Sequence, residues 1–538
     1  MKIRTLHIKN FRSIKELTIN PENLCVLVGP NSSGKTNILK AIDLVLGEGW
    51  VTKAKVAKEL FNDVNQPVII EIEFDETISF VNEREYDVNI NKIELSMTLT
   101  PDLTVTKTIN GGQKFWDQEP FKRLCHFIYI PADRNLSDEM RISNWTLLGK
   151  LMKLVYDNYV KYYEAEDKLK EAFEKEIEPA KIFLEKDFDS NLEVITFKNF
   201  VDTFKKYCEE NSSGLASSFE PKLNIYNLNW FYKTLQLHIK ESEFSDKDFD
   251  AEEVGAGMKN LLLISIFQTY AELMGGKVIF GIEEPEIYLY PQAQRSLFKS
   301  FQELSENSQI FYTTHSPNLV DPSRAYEIEP LRKNRELGTF NLEKDSFISK
   351  ENLTSGQFKI YTQFNNERNE LFFANKVILV EGNSDKIFWQ TICQKWSFNI
   401  DKMGISIIEC GGKGGVNYFV GVCKLIGLKQ FFSIWDQDDE NFSPEVNYLE
   451  TLDINNGLEI VGNLEKFLGL PEGDKVPKVK NAYEKANNLK LEEIPEAFDV
   501  VKNFISSSIN HGTAAKEIKE VDNNGINDDE INIEDIPF

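Results

Sequence analysis

Eight consecutive residues, Gly29-Pro-Asn-Ser-Ser-Gly-Lys-Thr36, constrain this chain more than any other stretch. They match G-x-x-x-x-G-K-[ST], a pattern whose order follows from phosphate chemistry. Glycines such as Gly34 let backbone N–H groups, with that of Asn31 nearby, approach phosphate oxygens. Lys35 reaches the terminal phosphates, and Thr36 offers a hydroxyl to a magnesium ion. The pattern carries meaning only between a buried strand and a helix, and both are predicted. Leu24-Cys-Val-Leu-Val28 is a continuous apolar run, as a buried parallel strand requires. Ile38, Leu39, Ile42, Val45 and Leu46 then share one helical face. That helix turns its positive N-terminal end toward the same phosphates. The chain therefore begins as an α/β unit that binds a nucleotide.

Three further stretches extend this site. Lys277-Val-Ile-Phe-Gly-Ile-Glu283-Glu284-Pro-Glu286 is an apolar strand ending in acids. Glu283 is expected to organise the Mg²⁺ shell and Glu284 to polarise the attacking water. Gln309 to Pro317 forms another buried strand, ending at His315, a sensor of the γ-phosphate. Val254-Gly-Ala-Gly-Met-Lys259 opens a helix before them, with Gly255 and Gly257 presenting backbone N–H groups. Arg134 is a further expected phosphate contact. Together these residues resemble the ABC-type ATPases of the SMC/Rad50 class. The resemblance implies two heads that sandwich ATP, a glycine loop of one capping phosphates held by the other. Ala256 stands where a serine is common and Lys259 where a glutamine is, so ATP is expected to be hydrolysed slowly or only sensed.

The second half carries a different chemistry. Val377-Ile-Leu-Val380 is a buried strand followed directly by Glu381-Gly-Asn-Ser-Asp385, and Phe431-Phe-Ser-Ile-Trp435 is another followed by Asp436-Gln-Asp438-Asp439. Parallel strands that deliver carboxylates at their C-terminal ends place them in one crevice. Three or more ionised carboxylates share such a space only around a cation. Six cysteines without a CxxC pair and five dispersed histidines leave oxygen as the ligand, which points to Mg²⁺ or Mn²⁺. Two such ions would activate water and stabilise a leaving oxygen during phosphodiester cleavage. Gly411-Gly-Lys-Gly-Gly415, on the connection between the strands, suits close approach of backbone to phosphate.

This half resembles the Toprim domain of topoisomerases, primases and OLD (overcoming lysogenization defect) nucleases. An ABC-type head followed by Toprim resembles the OLD family along nearly the whole chain. The resemblance implies Glu381, Asp385, Asp436 and Asp438 as metal ligands, with Glu381, Asp436 and Asp438 catalytic, and Glu465 as a further acid completing a second metal site. It also implies a lysine near the C-terminus that stabilises transition-state charge; Lys516 and Lys502 are the candidates, and each also reads as a solvated helix residue. The expected fold class is α/β, an N-terminal ABC-type ATPase with a helical insertion followed by a Rossmann-like Toprim domain.

Length and composition agree. At 538 residues the chain exceeds one core, and ~100–200 residues per domain gives two to four. We divide it into ATPase segments 1–145 and 216–340, a Lys/Glu/Tyr-rich helical insertion 146–215, a linker 341–375, Toprim 376–520 and an acidic tail 521–538. The charged clusters around Arg332–Arg335 and Asn365–Arg368 make all of 330–370 read as linker. The insertion reads as a solvated helical projection, or alternatively as an oligomerisation arm. Apolar runs are far shorter than the ~20 residues a membrane span needs, so a cytoplasmic protein without membrane contact is expected. The net charge of −25 is unlike that of a protein that coats DNA, and contact with DNA must come through small basic patches and bound divalent ions.

The reading that combines these features is an ATP-gated, Mg²⁺/Mn²⁺-dependent DNA endonuclease, a homodimer or homotetramer. The family resemblance adds anti-phage defence, with a defence-system protein or a retron reverse transcriptase and its RNA–DNA complex as partner. The alternatives are a non-cleaving ATP-switched clamp and, less economically, a primase or topoisomerase. The last needs a tyrosine nucleophile on a separate module.

Overall fold

In the computed structural model the described residues are 1–47, 49, 51–82, 85–115, 118–122, 124–132, 146–184, 238–240, 248–250, 255–274, 278–342, 367–437, 446–471 and 477–507. Alternating burial in β1 (Ile3–Phe11) and β2 (Ile14–Ile19) gives an antiparallel hairpin with one face on the core. β3 (Leu24–Val28) is buried throughout and leads through the glycine loop into α1 (Lys35–Leu46). A meander follows, β4 (Val68–Val81), β5 (Asp87–Thr98), β6 (Thr104–Ile109) and β7 (Gln113–Lys114), then α2 (Gln118–Lys122) and β8 (His126–Ile130). Next come α3 (Leu147–Tyr162), α4 (Glu166–Leu184) and the short pair β9 (His238–Lys240) and β10 (Asp248–Asp250). α5 (Ala256–Leu273), β11 (Val278–Glu283), α6 (Pro291–Leu304), β12 (Gln309–Thr313), β13 (Ile328–Asn334) and β14 (Gly338–Asn341) complete this half.

One twelve-stranded sheet runs β7-β6-β5-β4-β1-β2-β14-β13-β3-β12-β11-β8. Its segment from β13 to β8 is parallel and the rest antiparallel. The loops that follow β3, β11 and β12 therefore emerge at one edge, side by side.

Residues 328–341 correct the linker expectation. They form the β13–β14 hairpin, which joins the parallel and antiparallel parts of the sheet. Arg332 is only 2% exposed and its guanidinium donates to the carbonyls of Leu331 and Ala374. Burial pushes its pKa down to about 10. A cluster of charge read as solvated thus contains one arginine consumed by buried carbonyls, a partner no local pattern reveals. Residues 343–366 lie outside the described set.

α3 starts in the core, with Leu148 and Leu151 buried, and ends with Tyr162 80% exposed. The remainder of the predicted insertion, 185–215, lies outside the described residues. Among those described, no helix is long and apolar enough to cross a membrane.

The second half forms β15 (Lys376–Val380), α7 (Asn383–Lys395), β16 (Ile405–Glu409), α8 (Lys413–Leu425), β17 (Phe431–Asp436), β18 (Gly457–Ile460), α9 (Leu464–Phe467), α10 (Lys478–Asn488) and α11 (Asp499–Ser506). The sheet is wholly parallel, in order β16-β15-β17-β18. Chain direction across it reverses between β15 and β17, the switch point where such sheets open a crevice. One apolar cluster is shared by both halves, packing Leu319, Val320 and Ile328 with Phe372, Val377, Leu379 and Phe419. The two sheets are therefore joined through a common core.

Candidate functional site

The nucleotide loop is shaped by the hairpin beside it. Gly29 has φ 151° and a Cβ there would lie 2.3 Å from the Leu331 carbonyl oxygen; Gly34 has φ 101° and a Cβ would lie 2.2 Å from Thr339 Oγ1. Both positions demand glycine for backbone and space alike. Asn31 at the loop tip is exposed, and Thr36 is half-buried in the first turn of α1. Lys35 is 7% exposed and its Nζ donates to the carbonyls of Gly29 (2.9 Å) and Pro30 (3.1 Å). Burial lowers its pKa to about 8, against the pull of Glu284 and Glu286 and with the push of Arg332. An ammonium resting on neutral carbonyls is ready to exchange them for phosphate oxygens.

The neighbouring strand ends face it. Glu283 is buried and accepts from Tyr129 Oη (2.5 Å) and the Ala132 amide (3.3 Å), which ties it to the end of β8. Glu284 adopts a left-handed backbone (φ 42°), and its N–H donates to Thr313 O and Oγ1. A non-glycine residue held in that region is strained, a feature that clusters at functional sites. His315 is exposed just beyond β12; burial and then Lys35 lower its pKa, opposed by Glu284. Lys35, Glu284 and His315 thus sense one another at a single edge. Glu286, to which sequence reasoning gave no role, fixes the His315 segment: its Oε1 accepts from the His315 amide and from Thr314 Oγ1, both 2.7 Å. Its place in the Glu-Glu-Pro-Glu run was the available signal. Gly255 caps α5, and a Cβ on Gly257 would sit 3.0 Å from the Tyr288 carbonyl, so α5 starts against the loop after β11.

The second site lies at the β15/β17 switch point. Glu381 follows β15, and its Oε1 accepts the amide of Asp436, the last residue of β17, at 2.8 Å. The carbonyl of Glu381 accepts from the amides of Gly411 (2.9 Å) and Gly412 (2.8 Å), so the glycine loop is fastened to this residue. Asp385, in the first turn of α7, is 7% exposed and accepts from the Gly382 amide at 3.0 Å. Glu465, in the first turn of α9, is buried, 3.4 Å from Ser384 Oγ and 3.8 Å from Lys478 Nζ. Burial first, then the charges of Glu381 and Glu465, push the Asp385 carboxyl up to about 7. Lys413, unassigned by the sequence reading, reaches across to donate to the Asp436 carbonyl at 3.0 Å.

Clustered hard oxygen donors whose mutual repulsion already raises one carboxyl suit a divalent cation. Among the described residues, however, no three His, Cys, Asp or Glu side chains converge on one metal position. Glu381 and Asp385 each accept a backbone amide on one oxygen. Asp438 lies outside the described residues, as do Arg134 and Lys516.

Comparison with known proteins agrees with both halves. A family described as an AAA ATPase domain matches residues 1–122 and 102–320, more than half the chain. The Toprim domain of overcoming-lysogenization-defect-like proteins matches 372–438. An OLD nuclease of Thermus scotoductus is 27% identical over 456 residues, covering 81% of this chain and 82% of its own length. The Old nuclease of Escherichia phage P2 is 23% identical over 469 residues, 80% of this chain and 76% of its own. Endonuclease GajA of Bacillus cereus is 24% identical over 526 residues, 95% and 87% respectively. The chain belongs to the OLD family.

The chain joins an AAA ATPase domain to an OLD-like Toprim domain, which implies nucleotide and divalent metal. Lys502, offered as the C-terminal lysine, stacks over the Trp396 ring at 5.9 Å. Trp396 follows the last turn of α7 whereas Asp385 sits in the first, a rise of about 16 Å between the two residues at 1.5 Å per residue. An exposed lysine on a short amphipathic helix offers no clue to which end of a neighbour it covers. Among the described residues, Lys413 and Lys478 meet this site.

The cluster predicts a pH dependence. The folded protein holds the Asp385 proton more tightly than an unfolded chain with an ordinary value of 3.8. This contribution to stability is complete below 3.8 and is lost as pH rises through about 7. The melting temperature of metal-free protein should fall across that window, and Asp385→Asn should flatten the fall. Thermal melts of both proteins in chelator check it; equal slopes would contradict it.

Proposed function

We propose that this OLD protein is a DNA endonuclease that depends on Mg²⁺ or Mn²⁺ and is gated by its ATP-binding heads, acting in the cytoplasm in anti-phage defence. The observation that carries the reading is the 2.8 Å bond from the Asp436 amide to Glu381, which sets two acids from distant stretches at neighbouring strand ends, with Asp385 and Glu465 beside them. The names of the three relatives, two nucleases and an endonuclease, support the same chemistry.

Glu381, Asp385, Asp436, Glu465 and Asp438 would hold the metal, which when bound supplies an activated water and a counter-charge for the leaving oxygen. The chain's own residues do the rest. The Gly411 and Gly412 amides fix the Glu381 backbone, and the Asp436 amide orients its carboxylate. Lys413 and Lys478 bring positive charge to the acidic crevice, which favours approach of a phosphodiester. In the head, Lys35, Thr36 and Asn31 would bind ATP, Glu283 and Glu284 would serve its Mg²⁺ and water, and His315 would read the γ-phosphate. Gly255 and Gly257 would cap the ATP of a second copy, in a homodimer or homotetramer.

A non-cleaving, ATP-switched clamp is favoured by one observation, that the described carboxylates do not converge on a metal position. Metal-dependent cleavage of plasmid DNA separates the two readings.

A further inference from the structure

Residues 367–369 touch three places at once. The Asn369 side chain is 8% exposed, and its Nδ2 donates to the carbonyls of Pro317 (2.7 Å) and Val320 (3.0 Å). Both protons of one amide are therefore spent on the segment that begins at His315. That segment is itself tightly held: Glu286 binds the His315 amide, and Gln294 Oε1 accepts from Ser316 Oγ and Asn318 Nδ2. Arg368, next in the chain, turns the other way. Its guanidinium donates to the Glu409 carbonyl (2.8 Å) and to Glu409 Oε2 (2.9 Å). Glu409 ends β16, two residues before Gly411, whose amide holds the Glu381 carbonyl. A Cβ on Gly411 would come within 3.1 Å of that guanidinium, so the arginine lies directly against the loop. Glu367 pairs with Lys386, the residue after Asp385, at 2.6 Å.

We propose that residues 367–369 form a strap in which Asn369 and Arg368 are positioning residues, carrying the state of the His315 segment to the loop that holds Glu381. The inference rests on the nucleotide and nuclease roles proposed above and names the residues that connect them within one chain. Ordinary packing at a domain junction needs only apolar contact, which Leu371 and Phe372 already provide in the shared core. The strap adds directional bonds to backbone carbonyls on both sides, and these cannot stay made if one side moves alone. Arg368 and Asn369 carry the weight, because the Glu367–Lys386 pair involves an exposed carboxylate and is screened. A shift of the Pro317 and Val320 carbonyls on γ-phosphate binding drags Asn369, hence Arg368, hence the 409–412 backbone. Nucleotide binding and ion binding are then linked reciprocally.

Hydrogen exchange on the full chain tests this without requiring that it cut DNA. Adding Mg²⁺ and a non-hydrolysable ATP analogue should slow exchange in the 29–38 segment, and should change it in 409–416 by roughly five- to tenfold. In Asn369→Ala the first response should persist and the second should vanish. Should that variant fail to fold, Arg368→Lys keeps the Asn369 bonds and the charge but loses the fork on Glu409, and should give the same separation. A wild-type 409–416 segment indifferent to bound nucleotide, or variants that retain the full response, would overturn the strap. Plasmid cleavage is measured beside it: exchange coupling without cleavage keeps the strap and removes the nuclease reading, while cleavage without coupling does the reverse.

Discussion

Glu381→Ala is expected to lose DNA cleavage by on the order of 10³-fold or more, because several kcal/mol of charge stabilisation around the ions depend on this carboxylate, at 1.36 kcal/mol per factor of ten. The substitution also removes the acceptor of the Asp436 amide, a charged bond worth about 1.5–3 kcal/mol. Against that stands relief for Asp385, whose carboxyl is pushed up partly by Glu381. The two effects oppose each other, so the melting temperature should move little while activity collapses. Glu381→Gln sharpens the test, since an amide oxygen still accepts from Asp436 but carries no charge. It should cleave as poorly as alanine. A glutamine variant with near wild-type cleavage would mean that Glu381 braces two strands and binds no ion.

Lys35→Ala is expected to weaken ATP binding by roughly 100-fold or more, from the loss of charge-assisted bonds to two phosphates. Lys35 donates to the Gly29 and Pro30 carbonyls, which are neutral acceptors. Its removal leaves the loop glycines and their packing on Leu331 and Thr339 intact. The fold should therefore survive, and equilibrium binding of a fluorescent ATP analogue measures the effect directly. Equal affinity in both proteins would show that the loop does not hold phosphate.

What could be read without coordinates was whatever depends on local order along the chain. The glycine loop, the buried strands before Glu381 and Asp436, and the acids after them are patterns of neighbours, and strand ends in a parallel sheet follow from those patterns. What stayed hidden depends on partners remote in sequence. Arg332 reads as solvated until Ala374 supplies its acceptor. Glu286 reads as one more acid until the His315 amide lands on it. Arg368 sits in a charged stretch indistinguishable from linker, yet it meets Glu409 forty-one positions away. The place of Lys502 over the Trp396 ring, beyond the last turn of α7, was likewise hidden, because it depends on how α11 packs. Polar residues consumed by tertiary contacts carry no periodicity of their own, and this is where sequence reasoning ended.

Acids at the ends of β15 and β17 are expected to cut a phosphodiester with the help of bound cations. The most direct measurement is the nicking and linearisation of supercoiled plasmid by the full chain in Mn²⁺, beside Asp436→Ala and beside wild type in excess chelator. Cleavage is expected from wild type with Mn²⁺, and none above background from the other two. Cleavage that persists in Asp436→Ala or in chelator, or a well-folded wild type that leaves the plasmid intact in Mn²⁺ with and without ATP, would contradict that expectation.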